Sequence, residues 1–435
     1  MTLNCHTETP HASFPAKERQ ITKAQHNHIL TNAGVWSPDS EWIVYDMRST
    51  GFDGPRIEAV NVQTGEIKVI YESRNGAYCG VVTCSPREKK SVFILGPENP
   101  TPDWQYDFSH RQGVIVDWSK PGVAVNLDGR DLTPPFTAGA LRGGSHVHVW
   151  DSQGDWVSYT YNDALVESDI RDIAVSAPRS RVSVSKKHPR NHDGEYFSVL
   201  ASRTLANPKP DSDEIKRACE EAWVGANGYL RADGVRQKRA LAFQGSVVTA
   251  KGETLSEVFI VDLPEDLTQP GESPIAGTET TRPNPPRGAT QRRLTFTAGR
   301  KFPGLQGPRH WLRSSPDGSR IVFLMKDDAG IVQLWTISPN GGAATQLTHN
   351  PWPVASSFTW SPDGRHIAHV MDNSVYLTDA TTGKSQRVTE RTADAIAPQS
   401  EACVYSPDGK KLAFQRRKRD AGHEFNQVCV AFLKE

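Results

Sequence analysis

The sequence predicts an all-β fold, a seven-bladed β-propeller, and three observations lead to this prediction. A Ser-Pro-Asp-Gly motif recurs, with Asp317, Asp363 and Asp408 at intervals of 46 and 45 residues. A short apolar strand precedes each motif, and an alternating strand follows it. Two further strands complete each unit. A period of about 45 residues with four strands per unit is typical of propeller blades.

The repeats place the blades along the chain. Proline at the second position of a tight turn, followed by aspartate and glycine, suits the connection between two antiparallel strands. Clear copies of the motif stand at 35–46, 313–324, 359–370 and 404–415, and looser copies at 83–94 and 149–160. The blades are expected to begin near His28, Tyr78, His146, Tyr196, His310, Ser357 and Ala402.

The two ends of the chain are expected to meet in the last blade. The final strand, "NQVCVAFL" (426–433), is only the third of that blade. "RQIT" (19–22) is similar to a fourth strand elsewhere, "RRLT" (292–295). We expect the N-terminal strand to complete blade seven, because closing the ring removes the exposed sheet edges of an open array. Residues 1–18 would then form a flexible tail, and 19–435 the propeller.

Blade four departs from the other repeats. "DSDEIKRACEEAWVG" (211–225) predicts a helix between its first and second strands, since apolar residues recur there at helical spacing. A Pro-rich stretch (277–288) predicts a loop. Insertions are therefore expected at about 205–237 and 265–289, as decorations on one domain. The residues on the predicted helical face are Ile215, Ala218, Cys219, Ala222 and Trp223.

Composition and motifs exclude several function classes. Lys and Arg total 50, as do Asp and Glu, so no basic excess points to a nucleic-acid or membrane partner. The six cysteines form no CxxC pair, and no apolar stretch suits a membrane span or a secretory signal. The absence of G-x-G-x-x-G, P-loop, H-E-x-x-H and G-x-S-x-G motifs argues against a nucleotide cofactor and a hydrolase elbow. A cytoplasmic protein is expected.

Histidines collect on one predicted face of the propeller. In a four-strand meander, the fourth-to-first and second-to-third connections share a face, opposite the Ser-Pro-Asp-Gly turns. Binding residues concentrate on such loops when a rigid scaffold holds them. The histidines assigned to this face are His26, His28, His110, His146, His148, His188, His192, His310, His349 and His423. A ligand is expected to contact Arg74, His188, His192, Trp311 and Trp352 there.

"GGSHVHVW" (143–150) places His146 and His148 two residues apart on a strand, so that both imidazoles would share one face. With His310 and His28, which open equivalent strands, they could hold Zn, Mn, Fe or Ni at the channel mouth. A pair of hydrogen-bonded core histidines would show the same spacing. Aromatic residues of the repeats are expected to pack between blades, namely Trp36, Trp42, Trp150, Trp156 and Trp360.

Three resemblances extend these predictions. The segment 330–364, "GIVQLWTISPNGGAATQLTHNPWPVASSFTWSPDG", resembles the propeller repeats of TolB. "FILGPENP", "YDFSHRQGVIV", "LRGGSHVHVW" and "QRRLTFT" look like the YidR-type family of bacterial proteins, which implies a propeller and leaves the activity open. The His-x-His pair distantly resembles oligogalacturonate lyase, a cytoplasmic seven-bladed propeller with manganese at its channel mouth. That resemblance implies His146 and His148 as two of the metal ligands.

The leading hypothesis is a His-rich, metal-bearing pocket that acts on acidic sugars or oligosaccharides by β-elimination. The metal and an arginine, Arg142 or Arg309, would neutralise the uronate carboxylate. A base such as Tyr78, a histidine or an arginine would remove the adjacent proton. A non-catalytic propeller that binds a ligand or a protein is the main alternative, because a fold does not fix a function. A metal-dependent hydrolase or lactonase is a third, disfavoured by the histidine bias.

Overall fold

The computed structural model describes residues 16–49, 51–166, 169–420 and 422–433, which form a seven-bladed β-propeller. Each blade is an antiparallel sheet whose first strand lies next to the central axis. Blade one contains Trp42–Asp46, Arg56–Asn61 and Ile67–Glu72. Its innermost segment joins this sheet through isolated pairs, Ile29 with Asp46 and Trp36 with Ile43.

The other six blades each have four strands. Blade two comprises Cys79–Cys84, Lys90–Leu95, Gln112–Asp117 and Ala124–Asn126. Blade three comprises Gly143–Trp150, Val157–Asp163, Asp172–Ala177 and Phe197–Leu200. Blade four comprises Ile215–Trp223, Ala240–Val248, Thr254–Asp262 and Thr290–Arg293. Blade five comprises Arg313–Ser314, Ile321–Lys326, Val332–Ile337 and Thr345–Gln346. Blade six comprises Thr359–Trp360, His366–Met371, Ser374–Asp379 and Ser385–Arg387.

Blade seven closes the ring with the N-terminal strand, as predicted. Its strands are Pro398–Tyr405, Lys411–Asp420, His423–Phe432 and Lys17–Gln20. Lys17 lies opposite Phe432, and Gln20 opposite Cys429. Glu18 accepts two hydrogen bonds from buried Arg416, at 2.7 and 2.9 Å. The closing strand thus begins two residues before the predicted "RQIT". Of the predicted tail, residues 1–15 lie outside the described residues.

Short elements decorate the blades. Gly129–Arg130 pairs in parallel with Ala140–Leu141, and Tyr229–Leu230 pairs antiparallel with Arg236–Gln237. One 3-10 turn, Asp394–Ile396, precedes blade seven. Within the described ranges, no helix combines the length and the apolar character needed to cross a bilayer.

Two tryptophans each hydrogen-bond to the preceding blade. The indole Nε1 of Trp36 donates to the Val404 carbonyl at 3.0 Å, and that of Trp360 donates to the Arg313 carbonyl at 3.1 Å. In both cases the acceptor lies on the innermost strand of the preceding blade. The predicted packing of these two tryptophans between blades is confirmed. Because the middle strands are covered on both faces, strands such as Val157–Asp163 are entirely buried.

The helix predicted over 211–225 is wrong. Ile215–Trp223 is the innermost strand of blade four, and it pairs with Ala240–Val248. The register shifts twice along it, between Ile215 and Ala218 and between Cys219 and Ala222. Each shift is a bulge that inserts an extra residue, so buried positions recur every three or four residues as they do in a helix. Two bulges in a strand therefore imitate helical periodicity.

Blade four also begins later than predicted. Tyr196 does not open it, because Phe197–Leu200 is the outermost strand of blade three. Residues 178–196 form a long loop between the third and fourth strands of blade three. His188 and His192 therefore do not lie in a fourth-to-first connection.

Candidate functional site

A bulge recurs at one level of three neighbouring innermost strands. Val81, Val147 and Glu220 have φ of 59, 56 and 52°, each at a register shift. Val81 and Val147 share a hydrophobic cluster with Trp311 of blade five. Glu220 accepts a hydrogen bond from Arg309 Nε, also of blade five, at 2.9 Å. Since blades two, three and four each contact blade five through these residues, the bulges turn them toward the central channel.

The bulge at Val147 separates the two histidines of "GGSHVHVW". His148 is completely buried, its Nε2 lies 2.9 Å from Ser145 Oγ, and its ring packs on Tyr159 at 5.1 Å. Burial and the charge of Arg111 lower the pKa of His148 to about 3. His146 is half-buried, and the charges that act on it are those of arginine side chains. The prediction that both imidazoles share a face is wrong, because an extra residue at a bulge reverses the alternation of side chains.

The other two predicted metal ligands are engaged elsewhere. His310 Nδ1 donates to the Pro308 carbonyl at 2.9 Å, and its Nε2 accepts the Leu324 N–H at 3.2 Å. His28 Nδ1 donates to the Asn426 carbonyl at 3.2 Å, where blade seven meets blade one. Across the described part of the chain, no three His, Cys, Asp or Glu side chains are placed to hold a metal ion. These donors therefore do not fit a divalent metal site.

His146 instead lies within a cluster of arginines. Burial lowers its pKa well below the usual range, and the charges of Arg111, Arg309, Arg171 and Arg48 lower it further. Arg48 and Arg111 come from second-to-third connections of blades one and two, and Arg171 from that of blade three. Arg309 precedes the innermost strand of blade five. We call His146 and these four arginines the arginine mouth. It lies on the face that the histidine pattern predicted.

Aromatic side chains flank the arginine mouth. Arg111 Nε donates to Tyr106 Oη at 2.6 Å, and its guanidinium lies 4.4 Å from the centre of the Phe108 ring. The Arg309 guanidinium lies 4.6 Å from the Trp311 ring. Arg171 has a buried Nε without a hydrogen-bond partner among the described residues. The mouth thus combines positive charge, one exposed apolar ring, that of Phe108, and unused donor capacity, which is a combination suited to anionic ligands with apolar faces.

Arg142, a predicted catalytic residue, is structural. Its guanidinium is 1 % exposed and donates to Asp163 Oδ2 at 2.8 Å and to the carbonyls of Thr278 and Thr281 at 2.5 and 2.6 Å. The side chain therefore ties the Pro-rich loop of blade four to blade three, and it has no face left for a ligand. Its predicted place, in a fourth-to-first connection on the histidine-bearing face, suggested a catalytic role that the tertiary contacts do not support.

The remaining predicted residues lie in different connections, and His188 and His192 belong to the long third-to-fourth loop of blade three. Tyr78 and Trp352 are 44 % and 50 % exposed, and Arg74 is exposed beside Tyr78. His188 lies 6.2 Å from the Trp104 ring, and the main chain of His192 pairs with that of Arg130. Trp311 is buried in the axial cluster. Of the predicted residues, the structure brings His146, Arg309 and Trp311 together.

Arg48, Arg111 and Arg171 are not among the residues predicted for the site. Each stands in a second-to-third connection, and two of them directly precede the third strand of their blade. An arginine repeated at that position in blades two and three is a signal that the sequence does contain. The histidine pattern does not include this signal.

The glycine pair explains how the mouth is assembled. A Cβ at Gly144 would lie 2.1 Å from the Phe108 carbonyl oxygen and 2.7 Å from the Ser109 carbonyl carbon. A Cβ at Gly143 would lie 1.9 Å from the Asn162 carbonyl oxygen. Only glycine permits such approaches. The backbone of the blade-two insertion, residues 96–111, therefore rests directly on blade three, two residues from His146.

We expect Gly144→Ala to lower the free energy of unfolding by about 1–3 kcal/mol, because the methyl group collides with main-chain atoms that cannot turn away. Gly299→Ala is the matched control, since nothing lies within 4 Å of a Cβ there. Urea denaturation of both variants measures the difference. Equal stability of the two variants would show that the insertion does not rest on Gly144.

Known proteins are similar to this chain over most of its length. The uncharacterised protein YidR of Escherichia coli K12 is 49 % identical over 407 residues, which are 91 % of this chain and 94 % of the relative. A family model described as a protein of unknown function, DUF3748, matches residues 78–192. A model for the N-terminal region of dipeptidyl peptidase IV matches residues 333–421.

Two solved structures are similar in fold. An oligogalacturonate lyase in complex with manganese is 13 % identical, with 98 % of this chain and 95 % of that chain covered and a TM-score of 0.55. TolB from Acinetobacter baumannii is 14 % identical, with 91 % and 80 % covered and a TM-score of 0.39. At such identity the likeness to the lyase concerns the fold alone.

Proposed function

The chain belongs to the YidR family, as its segments predicted, and we propose that it binds an acidic oligosaccharide at the arginine mouth and acts on it as a lyase. The observation that carries the proposal is the pair of guanidiniums of Arg111 and Arg171, which lie 4.4 and 5.5 Å from the centre of the Phe108 ring. The charges of both, with those of Arg309 and Arg48, act on His146. Oligogalacturonate lyase, whose propeller is similar in fold, suggests the class of substrate to test.

The charge of the mouth favours carboxylated ligands. Arg309 forms an ion pair with Glu220, and Arg48 Nε lies 3.4 Å from Asp46 Oδ1. Arg111 instead bonds a tyrosine hydroxyl, and a buried Nε of Arg171 has no partner among the described residues. Guanidinium groups bind carboxylates through paired, charge-assisted hydrogen bonds that are stronger than those between neutral groups. Uronate carboxylates would therefore bind most strongly to Arg111 and Arg171.

The same residues suit a β-elimination. Arginines that neutralise the uronate carboxylate acidify the proton on the adjacent carbon. His146 is neutral at neutral pH because its pKa is lowered, so its ring nitrogen has a lone pair to accept that proton. The bond from the next carbon to the leaving sugar oxygen breaks, a carbon–carbon double bond forms, and the leaving oxygen takes a proton from water. A bound carboxylate also opposes the arginine charges and so makes His146 more basic.

We expect the Arg111→Gln/Arg171→Gln variant to bind trigalacturonate at least about 100-fold more weakly than the unmodified protein, since each lost charge-assisted hydrogen bond costs about 1.5–3 kcal/mol. Isothermal titration measures the affinity, and ultraviolet absorbance follows the unsaturated product. Arg179→Gln is the matched control, because Arg179 is exposed and pairs with Asp266 at 3.0 Å outside the mouth. Equal affinity of the double variant and the control, or no binding by the unmodified protein, refutes the proposal.

A non-catalytic binding propeller is the second candidate. The lowered pKa of His146 favours this candidate. A weakly basic imidazole removes a proton slowly, and an anion beside it would be bound mainly by the neighbouring groups. Binding of trigalacturonate without any unsaturated product, in the experiment above, would select this candidate. A cytoplasmic location and a ligand other than nucleic acid or membrane stay predictions of the sequence.

A further inference from the structure

We propose that Phe108, with Arg111 and Arg171, forms a subsite that stacks on one sugar ring of the acidic oligosaccharide and binds its carboxylate. This inference rests on the proposed function and names the residue that selects ring-shaped carboxylated ligands over other anions. Arginines alone would bind any anion of suitable size, so an additional contact is needed for sugar recognition.

Phe108 has the geometry of a stacking platform. Its side chain is 53 % exposed although it lies at the arginine mouth. The guanidinium carbons of Arg111 and Arg171 lie 4.4 and 5.5 Å from the centre of its ring. The exposed part of the ring is free to contact the apolar C–H face of a pyranose. A carboxylate on the same pyranose would then lie beside the half-buried Arg171 and close to Arg111, which is 6 % exposed.

The main chain holds this platform in place before a ligand arrives. Asp107 Oδ1 accepts hydrogen bonds from the main-chain N–H and the hydroxyl of Ser109, at 2.9 and 2.7 Å, so the turn around Phe108 is fixed. The Phe108 carbonyl lies where only a glycine at 144 leaves room. A preformed contact surface costs less ordering free energy when a ligand binds.

A second set of contacts anchors the other end of the insertion. The Trp104 ring stacks on His110 with centroids 3.7 Å apart. Buried Arg130 donates to the His110 carbonyl at 3.1 Å. Arg190, from the long loop of blade three, donates to the carbonyls of Glu98 and Asn99 at 2.8 and 2.9 Å. These contacts hold both ends of the insertion in place, so Phe108 projects from a well-supported loop.

The test compares Phe108→Leu with Phe108→Tyr by titration with trigalacturonate. Leucine keeps apolar bulk and loses the ring, whereas tyrosine keeps the ring. We expect the leucine variant to bind about tenfold more weakly and the tyrosine variant within about threefold of the unmodified protein. Phe296→Leu is the matched control. Phe296 is 69 % exposed, its ring centre lies 4.5 Å from the Arg293 guanidinium carbon, and it follows the outermost strand of blade four.

Proton NMR separates stacking from an indirect effect through the arginines. A sugar ring that stacks on an aromatic face shows upfield shifts of its C–H protons, and these shifts should persist with Phe108→Tyr and vanish with Phe108→Leu. If the unmodified protein binds trigalacturonate while Phe108→Leu binds it equally well and with the same proton shifts, the subsite is refuted and the proposed function stands. If the unmodified protein does not bind trigalacturonate, both fail.

Discussion

Acidification from about pH 7 to about pH 5 should destabilise this protein by on the order of 5 kcal/mol, comparable to the whole stability of many domains. Burial is the main cause, because it disfavours the charged imidazolium in the folded chain. It lowers the pKa of five histidines from 6.5 to about 3 or about 4, and these are His28, His148, His192, His310 and His369.

The direction follows from where each state binds protons. The unfolded chain takes up protons near pH 6.5, whereas the folded chain resists them until about pH 4 or below. The stability contributed by neutral imidazoles is therefore present above about pH 6.5 and is lost as the pH falls, by about 1.4 kcal/mol per pH unit for each group. Two buried carboxyls partly offset this loss, since burial raises the pKa of Glu221 to about 8 and that of Asp128 to about 6.

Urea denaturation at the two pH values measures the effect, and His369→Gln isolates one contribution. His369 is fully buried, with Nε2 2.7 Å from Thr378 Oγ1, and glutamine keeps a polar group there without an ionisable one. We expect this variant to lose about 2 kcal/mol less on acidification than the unmodified protein. His349→Gln, at an exposed position, is the control. Equal stability at both pH values would contradict the burial of these imidazoles.

Removal of the Arg142 side chain is expected to have the next largest effect, a loss of about 3–5 kcal/mol in the free energy of unfolding for Arg142→Ala. Arg142 and Asp163 are each 1 % exposed and 2.8 Å apart. Without the guanidinium, the Asp163 carboxylate stays buried beside Tyr161 with its opposite charge gone, and two carbonyls of the Pro-rich loop lose their donors.

Arg56→Ala provides the comparison for Arg142. Arg56 also pairs with a carboxylate, Glu72, at 2.8 Å, but the two side chains are 40 % and 56 % exposed. An ion pair in water contributes less than about 1 kcal/mol, so this variant should unfold nearly as the unmodified protein does. Similar losses in the two variants would mean that the Arg142 pair is not desolvated. A selective loss of ligand binding in a stable Arg142→Ala protein would restore its predicted catalytic role.

Two errors of prediction, the helix in blade four and the shared face of His146 and His148, have one physical origin. The alternation of a strand and the spacing of a helix are local signals, and a bulge changes both without leaving a distinctive residue behind. In blade four, two bulges made Ile215, Ala218 and Ala222 look helical. In blade three, the bulge at Val147 turned His148 into the core while the spacing suggested that it faced the channel beside His146.

The sequence by itself determined the propeller, most of its blade boundaries and the closure by the N-terminal strand. Those features depend on repeated turns and strands that each blade carries within about 45 residues. It also indicated the face that bears the site. Only the tertiary structure decided the site's content, replacing a histidine metal centre by the arginine mouth. The reason is that Arg48, Arg111, Arg171 and Arg309 come from four blades, and their meeting at His146 depends on how the ring closes and where its strands bulge.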